Sequence, residues 1–479
     1  MPHSQPCRET RKIQVVDLDN DPAEEVFPIS DLDCVMPKIY NPITSTYKLD
    51  VDADREVIIS NLCAGLQKTM TEYRFLAGSL HAEPKGKFYV GRSRDQATFT
   101  VHINHLEHTD FPSYSELEQR EFPVSELNHP LLPPSFAPSP VAKDGEGVPV
   151  TLIQFNLIRG GLIIGAAIHH FCCDARGLDA LVSRWAANTR SVTSGTPPPP
   201  FDRSCLDPTR LCSSTPIAQD QIRAAEARIR SLKYAPNTPQ READAAAMGA
   251  CILHITRSRL AALKAAGAPR DGARWVSTND CVTALMWRSV LRARLARHGV
   301  AADDAGRRVR LLQSLDARDH IRPPVPAAYP GNSISFSCVE RSVRDVLAAE
   351  TFPDVAVAVR DAVNEYRSWG MLKDMMDYVA ACPDRGGVQF NFDVVGGLDV
   401  VVTSWRVLTA YRTHDFGFGP LQALRWASPV LDGYNFYLPQ RPKDDPEEGF
   451  EVFISLEKSC MERLLKDEEL AKYARVRCV

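Results

Sequence analysis

A buried strand that leads through a polar turn into a helix is the feature that most restricts how this chain can fold. Residues 162–168 (LIIGAAI) form a short apolar run, which is typical of a buried strand. Residues 177–188 (GLDALVSRWAAN) carry apolar side chains at helical spacing. Residues 169–176 therefore lie on the turn between them. A glycine-containing turn at 159–161 joins the strand to another at 151–157 in a hairpin.

Strand and helix patterns mix in both halves of the sequence. Helical periodicity predicts helices at 53–70, 219–232 and 278–296, the last opened by a Thr-Asn-Asp start signal. Alternating and β-branched runs predict strands at 87–91, 97–103, 309–315, 333–340, 400–402 and 451–456. Residues 194–219 are rich in proline and serine, which indicates a linker that crosses between domains.

These patterns predict an α/β fold with two α/β domains of similar size and a cleft between them. We assign residues 1–193 to an N-terminal domain, 194–235 to the crossover linker and 236–479 to a C-terminal domain. A chain of 479 residues is long enough to bury two such cores.

Charge and cysteine usage restrict the partners and the compartment. Lys and Arg total 56 against 60 Asp and Glu, without long blocks of like charge, so neither nucleic acid nor a membrane is an expected partner. No apolar stretch is long enough for a membrane span, and residues 1–12 lack the apolar core of a secretory signal. Thirteen cysteines without a CxxC pair indicate reduced thiols, so we expect a cytoplasmic protein.

The turn at 169–177 (HHFCCDARG) holds the strongest candidate for catalysis. His170 ends the buried strand, and Asp174 follows four residues later at the start of the helix. Imidazole suits general-base chemistry near neutral pH, such as moving an acyl group onto a hydroxyl. The carboxylate could orient the ring or brace the loop through a cation. An H-x-x-x-D segment also arises by chance, so a purely structural histidine is the competing interpretation.

Two other kinds of chemistry at this turn are disfavoured. A metal site at His169, His170 and Asp174 is disfavoured because adjacent residues of a strand point to opposite faces. No third histidine or cysteine pair supports such a site. An acyl-cysteine intermediate on Cys172 or Cys173 would need an activated thiol, and nothing nearby indicates one.

A strand at 309–315 runs into a basic, proline-stiffened loop with the sequence LDARDHIRPPVP. Its arginines could meet the phosphates of an anionic ligand or a buried carboxylate. A rigid surface loop with solvated charges is an equal alternative. Further along, the two glycines that bracket Phe418 predict a tight turn, for which a structural role is the simplest interpretation.

Together and in this order, these segments resemble the BAHD-type, coenzyme A-dependent acyltransferases, and their fungal branch in particular. The resemblance implies two α/β domains of the chloramphenicol acetyltransferase type, with the active site in a tunnel at their interface. The segments that carry it are PISDLD at 28–33, LAG at 76–78, HHFCCD at 169–174, TNDCVTALMWR at 278–288, LDARD at 315–319, TSW at 403–405 and HDFGFGP at 414–420.

The resemblance also implies roles for individual residues. His170 is expected to be the catalytic base, and Trp405 is expected to donate its indole N–H to the oxyanion. Asp174 is expected to pair with Arg318 as a structural brace, and Thr403 to lie near the acceptor. The expected coenzyme A contacts are Thr278, Asp316, Arg318, Asn332, Ser333 and Ser404. The expected structural turn, remote from the chemistry, carries Asp415, Gly417 and Gly419.

Two departures from the family pattern stand out. Phe418 replaces the usual tryptophan of the DFGWG turn, an exchange of one aromatic residue for another. Ala175 stands where the family has glycine after the aspartate, and Gly177 follows two places later. The second departure affects the loop that follows Asp174.

The resemblance implies an O-acyltransferase, with acetyl the expected acyl group, that acts directly in a ternary complex on a hydroxyl of a terpenoid, polyketide or alkaloid. Acyl-CoA is the expected co-substrate, no permanently bound cofactor or metal is expected, and a monomer is expected. An amine acceptor, a condensation-domain-like enzyme that uses carrier-bound donors, and a non-catalytic binding homologue stay open as alternatives. A serine hydrolase is disfavoured because the sequence contains no G-x-S-x-G segment.

Overall fold

The computed structural model describes residues 7–15, 22–94, 98–127, 132, 147–236, 238, 243–270, 272, 274–298, 306–428, 431–442 and 444–479. The strands in chain order are β1 Cys7–Gln14, β2 Glu24–Pro28, β3 Tyr40–Lys48, β4 Ser79–Glu83, β5 Lys87–Ser93, β6 Thr98–His105, β7 Val148–Pro149, β8 Thr151–Ile158, β9 Gly161–His169, β10 Leu232–Tyr234, β11 Met248–Ile255, β12 Arg308–Asp316, β13 Ile334–Ser342, β14 Val388–Phe390, β15 Val400–Ser404, β16 Ala423–Trp426, β17 Tyr434–Tyr437, β18 Phe450–Glu457 and β19 Arg475–Cys478. The α-helices are α1 Arg55–Glu72, α2 Tyr114–Gln119, α3 Val124–Leu127, α4 Ala175–Ser194, α5 Ile222–Ile229, α6 Arg257–Ala266, α7 Thr278–His298, α8 Val343–Leu347, α9 Phe352–Tyr366, α10 Trp369–Ala381, α11 Ala410–Thr413, α12 Lys458–Leu464 and α13 Glu468–Tyr473.

Two large sheets carry most of these strands. One has six strands in the order β1-β6-β8-β9-β3-β16, and the other has seven in the order β13-β12-β15-β17-β18-β11-β19. Two small sheets, β2-β5-β4-β7 and β10-β14, accompany them. Each large sheet mixes antiparallel pairs with parallel ones, such as β6 with β8 and β12 with β15. The predicted α/β architecture with two α/β halves is confirmed.

Helices α1 and α4 pack against each other and onto the six-stranded sheet. Trp185 of α4 stacks on Phe155 of β8 with ring centroids 6.0 Å apart, and its indole N–H donates to the carbonyl of Leu62 in α1 at 2.9 Å. The two helices meet so closely at Gly65 that a Cβ there would lie 2.1 Å from Oγ1 of Thr189. This close packing fixes α4 and, with it, the turn that precedes α4.

Helix α7 lies at the centre of the second core. It packs with α9, α12 and the seven-stranded sheet into one apolar cluster that includes the fully buried Trp287. All residues from 280 to 291 are buried, so α7 is surrounded by the core on all sides along this stretch. The helix begins at Thr278 as predicted. The capping residue is Ser277, one position before the predicted start signal, and its Oγ accepts the N–H of Asp280 at 3.2 Å.

One strand from the C-terminal half belongs to the other sheet. β16 pairs antiparallel with β3, with Ala423 opposite Thr46 and Trp426 opposite Ile43. The chain therefore crosses between the halves again after β15. The boundaries placed at residues 193 and 235 stay a prediction, but they do not account for this exchange.

Most of the predicted helices and strands are present with slightly different ends. The predicted helix at 219–232 is wrong in part, because α5 ends at Ile229, Arg230 has a φ of 58° and Leu232 already begins β10. Residue 97 of the predicted strand at 97–103 lies outside the described residues. Among the described residues, no helix combines the length and apolar character needed to cross a membrane.

Candidate active site

The predicted turn between strand and helix is present and carries His170. β9 ends at His169 and α4 begins at Ala175, so residues 170–174 form the turn. The backbone N–H of His170 donates to the carbonyl of Ile39 at 2.8 Å, which anchors the turn to the chain that enters β3. Asp174 caps α4, since its Oδ1 accepts the N–H of Gly177 at 2.8 Å.

Gly177 explains why the loop works with alanine after the aspartate. A Cβ at position 177 would lie 1.9 Å from the carbonyl oxygen of Pro330, so only glycine allows the helix to approach that loop. Ala175 is half-buried and borders open space. The place that requires glycine in this chain is therefore 177.

A cavity lies between the two halves and reaches His170. Residues of the first half and of β16 form one side, and strands β12, β13, β15 and β17 form the other. Thr403 and Trp405, which were predicted near the acceptor and the oxyanion, line the same space as His170. The cavity is lined by Met36, Pro37, Ile39, Asn41, His170, Ala175, Leu312, Ser314, Ile334, Phe336, Phe390, Phe392, Val401, Thr403, Trp405, Trp426, Leu431, Tyr434 and Phe436.

Burial keeps His170 in the form that a base needs. Burial lowers the pKa of His170 below its usual 6.5, and the nearby Asp174 carboxylate and Asn332 amide oppose this shift without overcoming it. The imidazole is therefore neutral at pH 7 and able to accept a proton. Its Nδ1 is buried and makes no hydrogen bond to the described residues.

His169 differs from its neighbour. Its ring lies between those of Tyr40 and Phe171, with centroids 5.6 and 5.3 Å away. Burial lowers the pKa of His169 to about 3. Since the two side chains point in different directions, His169 is part of the core, whereas His170 faces the cavity.

Asp174 and Arg318 form the predicted pair. The guanidinium donates to both carboxylate oxygens at 2.9 Å each, and both side chains are almost fully buried. Arg318 also donates to Oδ1 of Asp316 at 3.1 Å and to the carbonyls of Tyr329 and Gly331. Asp174 therefore ties the turn to the loop after β12 and does not lie against the imidazole as a relay.

Asp33 and Asn332 form a second brace beneath the turn. Nδ2 of Asn332 donates to the carbonyl of His170 at 2.6 Å and to Oδ1 of Asp33 at 2.7 Å. Ser30 donates its N–H and its hydroxyl to the other oxygen of Asp33. Burial raises the pKa of Asp33 to about 6, and these hydrogen bonds limit the rise. The sequence marked Asp33 only as the end of the PISDLD segment and indicated no role for it.

The residues predicted to contact coenzyme A fall into two groups. Arg318, Asn332 and Ser333 are buried in the two braces, where Ser333 gives its N–H to Oδ2 of Asp174 at 3.1 Å. Nη1 and Nη2 of Arg318 are both occupied by carboxylates and carbonyls, so this placement speaks against a phosphate contact. Thr278, Asp316 and Ser404 are half-buried and lie outside the residues that line the cavity.

Trp405 lies in a cluster of aromatic rings at the cavity wall. Its ring centroid is 5.8 Å from that of Trp426 and 5.4 Å from that of Phe436, both edge-to-face. Its backbone N–H donates to the carbonyl of Tyr437 at 2.8 Å, which continues the ladder between β15 and β17. Packing on this side holds the indole in place at the cavity.

The Asp415–Gly419 turn lies far from His170. Phe416 packs on Trp185 and Phe418 on Tyr47, with centroids 4.9 and 5.4 Å apart. Gly417 and Gly419 have φ of 97° and 137°, and Oδ1 of Asp415 accepts the N–H of Gly417 at 2.8 Å. Tyr47 is seven residues along β3 from Tyr40, which pairs with His169, so roughly 24 Å separates the turn from the catalytic end of the sheet.

Cys172 and Cys173 are both buried, and burial raises the pKa of each thiol well above its usual 9.0. A thiol with a raised pKa is a poor nucleophile near neutral pH. The two cysteines therefore lack the environment that an acyl-cysteine intermediate would need.

Several cavity residues have no signal in the sequence. Ser314, Trp426 and Phe436 reach the cavity because β12, β15 and β17 are neighbours in one sheet and β16 crosses into the other. Strand order is not readable from the sequence, so these residues could not be grouped with Thr403. Only the resemblance to the acyltransferases, through the TSW segment at 403–405, pointed to this wall.

The two α/β halves meet around a cavity that His170 lines, which is the arrangement that the resemblance implied. The model of the Transferase family matches residues 9–471, and the chain belongs to that family. The predicted resemblance to the BAHD-type acyltransferases of the fungal branch is confirmed.

Relatives and solved structures agree over nearly the whole chain. The chain is 26% identical to acetyltransferase FGR3 of Gibberella zeae over 477 residues, covering 96% of this chain and 92% of the relative. It is 25% identical to trichothecene 3-O-acetyltransferase TRI101 of Fusarium sporotrichioides over 450 residues, covering 91% and 94%. The crystal structure of TRI101 from F. sporotrichioides complexed with coenzyme A and T-2 matches with a TM-score of 0.77 at 22% identity, covering 94% of this chain and 99% of that one. Vinorine synthase matches with a TM-score of 0.67 at 17% identity, covering 99% of both chains.

Proposed function

We propose that this protein is an O-acyltransferase that transfers an acyl group from acyl-CoA to a hydroxyl of a terpenoid, polyketide or alkaloid. Acetyl is the expected acyl group. The observation that carries the proposal is a neutral His170 at the wall of a cavity that also holds Thr403 and Trp405. The names of the relatives agree with it, since FGR3 and TRI101 are both acetyltransferases.

In the proposed reaction, Nε2 of His170 takes the proton from the acceptor hydroxyl while its oxygen attacks the thioester carbonyl. The indole N–H of Trp405 donates to the resulting oxyanion. When the tetrahedral intermediate collapses, the carbon–sulfur bond breaks and the imidazolium returns the proton to the departing thiolate. The products are an ester and free coenzyme A, and His170 is neutral again for the next turnover. A thioester is already activated, so these residues are sufficient for the step.

The base and the oxyanion donor each contribute an expected factor to the rate enhancement. General-base assistance contributes about 10²–10⁴, and one oxyanion donor contributes about 10²–10³. Asp174, Arg318, Asp33 and Asn332 do not touch the reacting atoms in this scheme; they hold the turn so that the imidazole faces the cavity. The proposal also includes a monomer in the reducing cytoplasm, with which the thirteen free cysteines are compatible.

A thiol-release screen tests the proposal. Acetyl-CoA is incubated with a panel of hydroxylated natural products, free thiol is measured, and mass spectrometry identifies the product. We expect release of coenzyme A together with an acetyl ester for some acceptors, and both at a rate lower by about 10²–10⁴ with His170→Ala. Turnover only with carrier-bound thioesters would favour the condensation-domain alternative, and the absence of any turnover would favour a binding homologue.

A further inference from the structure

One row of side chains crosses the wall of the cavity that the seven-stranded sheet provides. In the ladders, Phe336 lies opposite Ser314, Ser314 opposite Thr403, and Thr403 opposite Phe436. All four residues line the cavity. Since neighbouring strands are about 4.8 Å apart, the row places two adjacent hydroxyls between two aromatic rings.

Both hydroxyls are free of hydrogen bonds to the part of the chain that the structure describes. Within the ranges that the structure describes, Ser314 and Thr403 make no side-chain hydrogen bond, and both residues are half-buried at the cavity wall. Other serines of these strands are engaged: Ser335 donates to the carbonyl of Tyr366 at 2.8 Å and Ser337 to that of Gln313 at 3.4 Å. Both hydroxyls are therefore accessible from the cavity, and a ligand oxygen can replace the water that would otherwise hydrate them.

Aromatic groups enclose the two hydroxyls on both sides. On one side, Phe390 packs edge-to-face on Phe336 at 4.7 Å and stacks on Phe392 at 5.2 Å. On the other side, Trp426 stacks on Phe436 with ring centroids 4.7 Å apart, and Trp405 packs edge-to-face on Trp426. Such walls favour flat or fused-ring molecules over flexible chains.

The cavity also lacks the charge that a cationic acceptor would require. Of its described lining residues, none is an aspartate, glutamate, lysine or arginine. The nearby acids Asp33 and Asp174 are buried and committed to the two braces. A protonated diamine would lose its hydration here without gaining a counter-charge.

We propose that Ser314 and Thr403 together hydrogen-bond a second oxygen of the acceptor, and that the acceptor is an uncharged, ring-containing alcohol with at least two oxygens. This inference rests on the proposed function, because it assumes that the acceptor occupies this cavity. It adds Ser314 as a positioning residue: the hydroxyl touches the substrate away from the reacting oxygen and aims the other hydroxyl at His170.

The test compares rigid bicyclic and tricyclic terpenoid diols with the matching mono-ols, using acetyl-CoA and thiol release. Wild-type protein, Ser314→Ala and Thr403→Val are assayed with each pair. Both substitutions remove a hydroxyl at a half-buried site, so the variants should fold like the wild type. We expect the wild type to prefer diols, and each substitution to lower kcat/KM for diols roughly 2- to 10-fold more than kcat/KM for the matching mono-ols. The mono-ols are thus the matched control for a general loss of activity.

Four results would overturn the inference while leaving the proposed function standing. The first is an equal kcat/KM of the wild type for diols and mono-ols, and the second is an equal loss on both substrates in Ser314→Ala. The third is a change in the variants that is confined to the KM for acetyl-CoA. The fourth is acetylation of putrescine at a higher rate than that of any neutral diol. If no acceptor is turned over, the proposed function fails instead. Acceptor binding followed by tryptophan fluorescence then decides the inference: diol preference that is lost in Ser314→Ala supports it, and equal binding of diol and mono-ol overturns it.

Discussion

The Asp174–Arg318 pair allows the bracing role to be separated from catalysis. Asp174 accepts four hydrogen bonds, from Nη1 and Nη2 of Arg318 at 2.9 Å each, from Gly177 at 2.8 Å and from Ser333 at 3.1 Å. Asp174→Ala would leave a buried guanidinium with only Asp316 and two carbonyls. Breaking a buried pair on one side costs roughly 3–5 kcal/mol, and we expect the lower end because Asp316 remains.

The Asp174 side chain also caps α4. The contribution of this cap to the free energy of unfolding can be separated from that of the ion pair. Asp174→Ser removes the charge but keeps an oxygen that can accept the N–H of Gly177. An N-cap side chain is worth about 1 kcal/mol, so Asp174→Ser should be more stable than Asp174→Ala by that amount. Arg318→Met removes the cation and leaves Asp174 with the two backbone donors. The double variant Asp174→Ser/Arg318→Met leaves no unpaired charge, so its loss should be clearly smaller than the sum of the single losses.

Urea unfolding followed by tryptophan fluorescence measures these differences, and thiol release gives kcat for the fraction that stays folded. We expect lower unfolding midpoints and less soluble protein for both single variants, with partial recovery in the double variant. Single variants with the wild-type midpoint and only a lower kcat would refute the bracing role. Losses that simply add in the double variant would show that the two residues are not coupled.

Four other predictions concern the reaction itself. His170→Ala should lower kcat by about 10²–10⁴ at an unchanged urea midpoint, whereas His169→Gln, which disturbs the core, should lower the midpoint and retain kcat; the opposite pattern would exchange their roles. Because burial lowers the pKa of His170, kcat/KM should rise with pH through an inflection below 6.5 and stay level above it; an inflection above 6.5 would argue against a buried base. Trp405→Phe keeps the ring contacts but loses the N–H, so kcat should fall about 10²–10³ with little change in the KM for acetyl-CoA, and a wild-type kcat would remove Trp405 from the mechanism. Cys172→Ala should retain kcat, and initial-rate plots should give intersecting lines; parallel lines would indicate an acyl-enzyme.

The sequence predicted those parts of the site that are close together along the chain. The apolar strand, the turn with His170 and the helix capped by Asp174 are continuous, so their periodicity was enough to place them. The pairing of Asp174 with Arg318 spans 144 residues and was expected only from the resemblance to a family. From the sequence alone, Arg318 could bind the phosphate of a ligand as well as a buried carboxylate.

The remaining parts depend on strand order and burial, which have no local signal. β3 (YNPITSTYK) lies between β9 and β16 and is buried on both faces, so it shows no alternation from which to predict a strand. The role of Asp33 depends on Asn332, a residue 299 positions away. Ser314 joins Thr403 only because β12 and β15 run side by side. Each of these contacts is a property of the assembled sheets.

The crossing of β16 into the six-stranded sheet has a consequence for how the protein is made. One edge of β3 stays unpaired until Ala423 emerges, about 375 residues after Lys48, which takes roughly 20–75 s at 5–20 residues per second. Exposed strand edges are templates for aggregation, so we expect the nascent N-terminal half to be prone to aggregation during that time. A two-fragment complementation system cut near residue 193 would leave the same edge open, and supplying residues 423–426 with the first fragment should close it.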